Sequence, residues 1–294
     1  MNYIFNIFVF VIVLFLYIHI QFQLKTSNDL EVYNIEKPSK DKLEEICDIR
    51  QPLVYYFNNE ELNSVLNIEN LKNTNGIFDV KVRNKENNDP DSELYLPFAF
   101  NEASKLFEAD ENKRYFSEKN NEFINETGIS KILKQNDSFL RPSMVSKCLY
   151  DIMLGSKDCC TPLRYNLNYR NYFYVTSDSV NLKLIPPDST KFLYCNKDYD
   201  NFEFNSPINP WEIQDEFKKE FQKVKALDIV LKKGEIIYIP AYWWYSIKYN
   251  TSDTVLCNFS YRTFMNTVSI LPDLVIWFLQ NQNIKFETVK KMSK

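Results

Sequence analysis

The chemistry open to this chain is bounded first by its supply of side chains. There is a single His, His19, and there are six Cys: Cys47, Cys148, Cys159, Cys160, Cys195 and Cys257. No two of these form a CxxC pair, which argues against a structural zinc site. Adjacent Cys159 and Cys160 read as small buried residues, and the spacing of the six defines no disulfide framework. Sequons fall at Asn125, Asn136, Asn250 and Asn258, as chance alone provides in an Asn-rich chain. A net charge of −4, from 35 basic and 39 acidic residues, gives no case for nucleic-acid binding. Carboxylates are abundant and imidazoles are not, so any centre that needs two His cannot be assembled.

The stretch best suited to carry a site is GEIIYIPAYWWYS, residues 234–246. Lys232, Lys233 and Gly234 make a polar turn, with Gly free to take positive φ. Ile236 to Ile239 form a short apolar run with β-branched residues, which predicts a buried strand. Pro240 removes a backbone donor and ends the ladder. A second strand follows over 243–249, with Trp243, Tyr245, Ile247 and Tyr249 on the face predicted to meet the core. Upstream, residues 154–187 contain LG, then TPLRYN, a strand and a closing Pro186-Pro187 pair.

Together these stretches resemble the cupin-like, JmjC-type 2-oxoglutarate oxygenases. That family writes the first stretch roughly as G-D-x-L-x-I-P-x-x-W-W-H. It writes the second as LG, then T-P-L-H-x-D, a strand, and a Lys-bearing strand before a Pro pair. The resemblance runs over residues 48–261. It implies an iron(II) centre held by two His and one carboxylate, with open positions for 2-oxoglutarate and oxygen. Here Arg164 and Tyr245 stand where the family places its His ligands, and Asn166 stands at the carboxylate. Arg stays protonated and is no metal ligand, and a neutral carboxamide without charged partners is a poor one. A register slip does not rescue the site, because His19 lies outside it. The family's 2-oxoglutarate Lys falls on Val180, with Lys183 nearby but on the other face. By the same resemblance Thr161, Asn171, Val180, Trp243 and Asn258 are candidate pocket-lining residues. An unpaired buried guanidinium is costly, so Arg164 demands a partner acid, an anion or water. Asn166 and Tyr245 are placed to hydrogen-bond Arg164 or each other.

The remaining chain must position these residues. Residues 3–22, bounded by Tyr3 and Phe22, are apolar apart from Asn6, His19 and Gln21 and carry no formal charge. About 20 helical residues span a bilayer core. No basic n-region or small-x-small cleavage site is present, which favours an uncleaved anchor over a removed signal peptide. Residues 23–40 read as a linker and 41–294 as one cupin-like domain. Ser39 is placed to cap a helix through Cys47, and Asn58 with Glu61 fits a second cap. Strands are predicted over 52–57, 77–82, 150–154, 172–176, 181–185, 192–195 and 254–262, and helices over 100–109, 129–133, 210–224 and 272–282. Residues 84–92 read as a surface loop, and 111–125, being charged, as exposed. Short strands with frequent turn signals predict a mainly β jelly roll, a double-stranded β-helix with flanking helices behind one transmembrane helix.

The sequence therefore predicts a membrane-anchored, single-pass cupin-like protein that is a structural or binding module, with no metal and no cofactor. The alternative is an Fe(II)/2-oxoglutarate-dependent hydroxylase with atypical ligands. Its Asn-, Lys- and Ile-rich composition resembles cupin-like proteins encoded by large DNA viruses, which implies a virion or host membrane. The C-terminal helix with Trp277 is a candidate homodimer contact.

Overall fold

The computed structural model describes residues 2–86 and 93–292. Helix α1 (Asn2–Leu24) is strongly apolar, and its residues 3–18 are exposed. At about 1.5 Å per residue it is roughly 35 Å long. Among the described residues it is the one helix long and apolar enough to cross a membrane. The stretch read as a linker contributes strand β1 (Tyr33–Ile35), parallel to β2 (Leu53–Tyr56). Between them α2 (Lys40–Ile49) starts at Ser39, whose side chain accepts from the Lys42 N–H, and buries Leu43 and Ile46.

Helix α3 (Glu60–Val65) is capped by Asn59, one residue after the expected Asn58. Then follow α4 (Ile68–Asn75), β3 (Asp79–Asn84), β4 (Leu96–Ala99), α5 (Phe100–Ala109), β5 (Tyr115–Ser117), α6 (Asn121–Glu126) and α7 (Ile129–Asn136). The predicted loop over 84–92 lies mostly outside the described residues. The expectation that 111–125 is exposed is overturned. Phe116 and Ser117 are fully buried, and Glu118, Asn120 and Phe123 nearly so, because β5 is inserted between β3 and the long strand that follows.

That strand is β6 (Val145–Gly155), and it opens the jelly roll. It is followed by β7 (Arg164–Tyr165), β8 (Arg170–Ser177), β9 (Ser179–Ile185), β10 (Asn196–Asp198), β11 (Glu203–Asn205), α8 (Lys218–Phe221), β12 (Leu227–Lys232), β13 (Glu235–Ile239), β14 (Trp244–Tyr249), β15 (Val255–Thr263), α9 (Phe264–Ser269) and α10 (Leu271–Met292). One sheet runs β1-β2-β13-β8-β15-β6-β5-β3-β4, and the other β10-β11-β7-β14-β9-β12. Their centres, β13-β8-β15-β6 facing β7-β14-β9-β12, form the eight-stranded jelly roll of a mainly β cupin fold.

Strand periodicity divides the core into two. Tyr172 and Tyr174 of β8, with Ile236 and Tyr238 of β13, face the helices and pack with Leu43, Leu62, Phe100 and Phe123. Phe173, Val175, Ile237 and Ile239 face inward and meet Leu182, Leu184, Tyr245, Ile247 and Tyr249 of the second sheet. Both faces being buried explains why these strands read as unbroken apolar runs. Gly155 is required where β6 meets the second sheet, since a Cβ there would lie 2.5 Å from the Tyr249 ring.

Two expected elements differ. Residues 210–224 are not one helix; only a short 3-10 turn and α8 form, over 215–221. Asn209 accepts from the Trp211 N–H and Gln214 bonds the backbone at Pro207 and Asn209, local bonds that compete with a helical ladder. Residues 192–195 are not a strand. Pro187 opens a 3-10 turn over Pro187–Phe192, and Tyr194 sits at φ 49°, incompatible with extended backbone.

Candidate functional site

Strand β7 is two residues long, and its register with β14 sets Arg164 opposite Tyr245. The Arg164 side chain points into the jelly roll, where the 2%-exposed side chain of Glu118 meets it from the end of β5. Both guanidinium ends donate to the two carboxylate oxygens, Nη1 to Oε1 at 2.7 Å and Nη2 to Oε2, the bidentate geometry that makes Arg–carboxylate pairs strong. Tyr95 Oη donates to the same carboxylate at 2.6 Å.

A second acid, Glu203 on β11, lies 3.9 Å from Arg164 and accepts from Arg83 at 3.0 Å, while Lys119 stands 3.8 Å away. Three cations thus surround two buried carboxylates. Burial alone would raise the pKa of Glu118, but the Arg164 charge and hydrogen bonds, with Arg83 and Lys119, outweigh it and hold the carboxyl below its usual range. Burial likewise opposes the Arg164 charge, and Glu118 more than restores it.

Asn166 and Tyr245 lie beside this pair. Asn166 Nδ2 donates to Tyr245 Oη at 3.0 Å. The Tyr245 ring centroid lies 5.7 Å from the Arg164 guanidinium carbon and 5.2 Å from the Phe173 ring. Burial raises the Tyr245 pKa, so its phenol stays protonated.

These residues do not fit an iron centre. The first position offers a permanent cation, the second a carboxamide engaged with Tyr245, and the third a neutral phenol. The one buried Arg164 atom without a partner, Nε, is an N–H donor with no lone pair for a metal. Among the described residues no group of three His, Cys, Asp or Glu side chains is arranged to hold a metal ion.

Beside the pair a cavity of about 320 Å³ remains, lined in part by Lys119, Asp151, Asn166, Asn168, Asn258, Ser260 and Arg262. Asp151 on β6 accepts the backbone N–H groups of Lys119, Asn120 and Ile152 at 2.6–2.9 Å, and burial pushes its pKa up to about 7. Arg262 on β15 donates from Nε to Asn168 Oδ1 at 2.6 Å and lies 5.4 Å from the Phe202 ring. Among the described residues it has no carboxylate partner within salt-bridge distance, and burial lowers its pKa.

The sequence-derived candidates separate accordingly. Arg164, Asn166, Tyr245 and Asn258 line this cavity, and Thr161, Asn171, Val180 and Trp243 do not. Thr161 Oγ1 accepts the Ile247 N–H, and Thr161 O accepts from Ser246. The Asn171 amide binds the Asn168 and Ile239 carbonyls. Val180 and Trp243 are fully buried in the inter-sheet core. Lys183, on the opposite face of β9, reaches Asp228 at 2.6 Å. Sequence reasoning required a partner acid, an anion or water for Arg164 but did not find Glu118, nor the supporting Glu203, Arg83, Lys119, Tyr95 and Asp151. The available signal was the Tyr115-Phe116 pair, an apolar step inside a charged segment. All six thiols are unpaired, with Cys47, Cys159, Cys160 and Cys257 buried.

A family model described as a cupin-like domain matches residues 20–267, which includes every strand of both sheets. With that match and the jelly-roll topology together, the chain belongs to the cupin-like domain family.

Proposed function

We propose that this chain is a membrane-anchored cupin-like binding module that has lost oxygenase chemistry. The observation that carries this reading is the Glu118–Arg164 pair, which places a buried, charge-balanced bidentate contact at the position the family resemblance gives to an iron ligand. The cavity beside it supports binding over a purely structural role. It keeps converging carboxamide, hydroxyl and guanidinium groups, among them Asn166, Asn258, Ser260 and Arg262, and such pockets are where ligands are held. The exposed, uncharged α1 supports single-pass anchoring by its length and composition.

The test is iron titration and a 2-oxoglutarate decarboxylation assay on the full chain in detergent. The expected result is no retained Fe(II) and no decarboxylation above a protein-free blank. Stoichiometric iron with turnover of 2-oxoglutarate would overturn the reading in favour of a hydroxylase with atypical ligands. Native mass spectrometry of the same sample then checks the cavity, with a retained small molecule expected and Arg262→Gln expected to abolish its retention.

A further inference from the structure

The last turns of α1 are not joined to the domain by a free tether. They pack along α9. Gln23 is buried, and the Phe22 carbonyl accepts from Arg50 Nη2 at 3.3 Å. The Arg50 guanidinium also lies 5.4 Å from the Phe22 ring. Just beyond, Asp29 and Ser27 are held by the Gln51 amide. Residues 3–18, by contrast, are exposed throughout. Any apolar phase that takes up this helix therefore ends within about a turn of the level at which α9 sits.

At that level the domain shows a run of exposed apolar side chains. Phe264 and Val268 of α9, and Leu271, Val275 and Phe278 of α10, fall at alternating four- and three-residue steps and are 40–58% exposed. Trp277 is 39% exposed, with one edge against the Phe202 ring. Ile276 and Leu279 of α10 are exposed as well; so much exposed apolar side chain calls for a partner, and helices that expose Trp, Phe and Leu settle into the boundary between headgroups and acyl chains. We infer that α9 and the first half of α10 form a membrane-contacting platform that lies against the bilayer from which α1 emerges. The occupant is lipid rather than a second copy because the docked end of α1 places this surface beside the bilayer in every molecule.

The inference rests on the anchoring reading, and the two fail differently. The full chain is reconstituted into phosphatidylcholine nanodiscs with and without brominated acyl chains, and Trp fluorescence is compared. Trp243 and Trp244 are fully buried and Trp211, half-buried on Ser246 of β14, is common to every variant, so quenching by brominated lipid is read as the Trp277 share of the emission. Trp277→Phe is expected to remove that quenching. Adding Phe278→Trp to that variant is expected to restore it, which separates lipid contact from any loss of packing on Phe202. A chain that does not co-purify with nanodiscs would overturn the anchor, and the platform with it. A chain that inserts but shows equal emission in both lipids would overturn the platform alone. Two chains per disc with unquenched Trp277 would assign the surface to a second copy and overturn it as well.

Discussion

Arg164 and Arg170 sit at the starts of consecutive strands, one in each sheet, with both guanidinium groups buried, yet they are balanced in opposite ways. Arg164 is 8% exposed and its partner Glu118 2%. Arg170 is 1% exposed, but its partners Glu44 and Asp48, at 2.7 and 2.9 Å, are 33% and 44% exposed. Arg170 also stacks on the Tyr169 ring at 4.5 Å, while its Nε and Nη1 lack hydrogen-bond partners. Water can reach the acids of the Arg170 cluster and replace a lost cation. At Glu118 water has access only through the cavity that this carboxylate and Arg164 line. Charge inside the jelly roll is therefore held more tightly than charge on the helix side, where the acids are open to solvent.

The largest effect expected from this contrast is that of Glu118→Gln, which takes the bidentate acid from a buried guanidinium and leaves it only Glu203 at 3.9 Å. It should cost about 3–5 kcal/mol of unfolding free energy, read by urea unfolding of the full chain in detergent. Glu118→Leu with Arg164→Met should recover most of that loss, because an apolar pair of similar volume avoids burying charge. A double variant as unstable as the single one would show that the ion pair is not what makes this interior sensitive. Arg170→Met should cost less, about 1–2 kcal/mol, because Glu44 and Asp48 regain water when their partner goes. Equal losses at the two arginines would erase the distinction drawn from partner burial.

The same contrast explains what could be read in the sequence. The central strands were legible because burial on both faces writes them as apolar runs, as in IIYI at 236–239 and YFYV at 172–175. Arg164, Asn166 and Tyr245 could be picked out together because each stands at a short spacing from a Pro, Pro162 or Pro240. Glu118 was not, since its meaning comes from a contact 46 residues away in sequence and its local neighbours, Lys119 and Glu122, look like solvated surface. Residues 210–224 misled for a related reason: the apolar spacing of a helix is present, but Asn209 and Gln214 bind the backbone first. Patterns set by burial survive in a single sequence, and pairings between distant charges do not.

Stability against pH should separate the acids within the cavity region. Glu118 has a lowered pKa, so its contribution is present above the ordinary carboxylate range and is lost as the pH falls towards its depressed value. Asp151 has the opposite sign. Its pKa is raised from 3.8 to about 7 by burial, so the folded state binds the extra proton between these values. Its contribution is present below 3.8 and is lost as the pH rises through about 7. Asp151→Asn should flatten that decline while leaving the acid limb from Glu118 in place. A decline of unchanged slope in the Asn variant would assign the titration to another group.

The smallest expected effect is at Tyr245. Tyr245→Phe keeps the ring against Phe173 and removes only the hydroxyl that accepts from Asn166. One neutral hydrogen bond contributes about 1 kcal/mol, and the Asn166 amide lines the cavity, where water can replace the lost acceptor. The loss should therefore be at most about 1 kcal/mol, with the Arg164–Glu118 pair unperturbed and the acid limb of the stability profile unchanged. A loss as large as that of Glu118→Gln would mean that the phenol, rather than Glu118, is what holds the Arg164 charge inside the jelly roll.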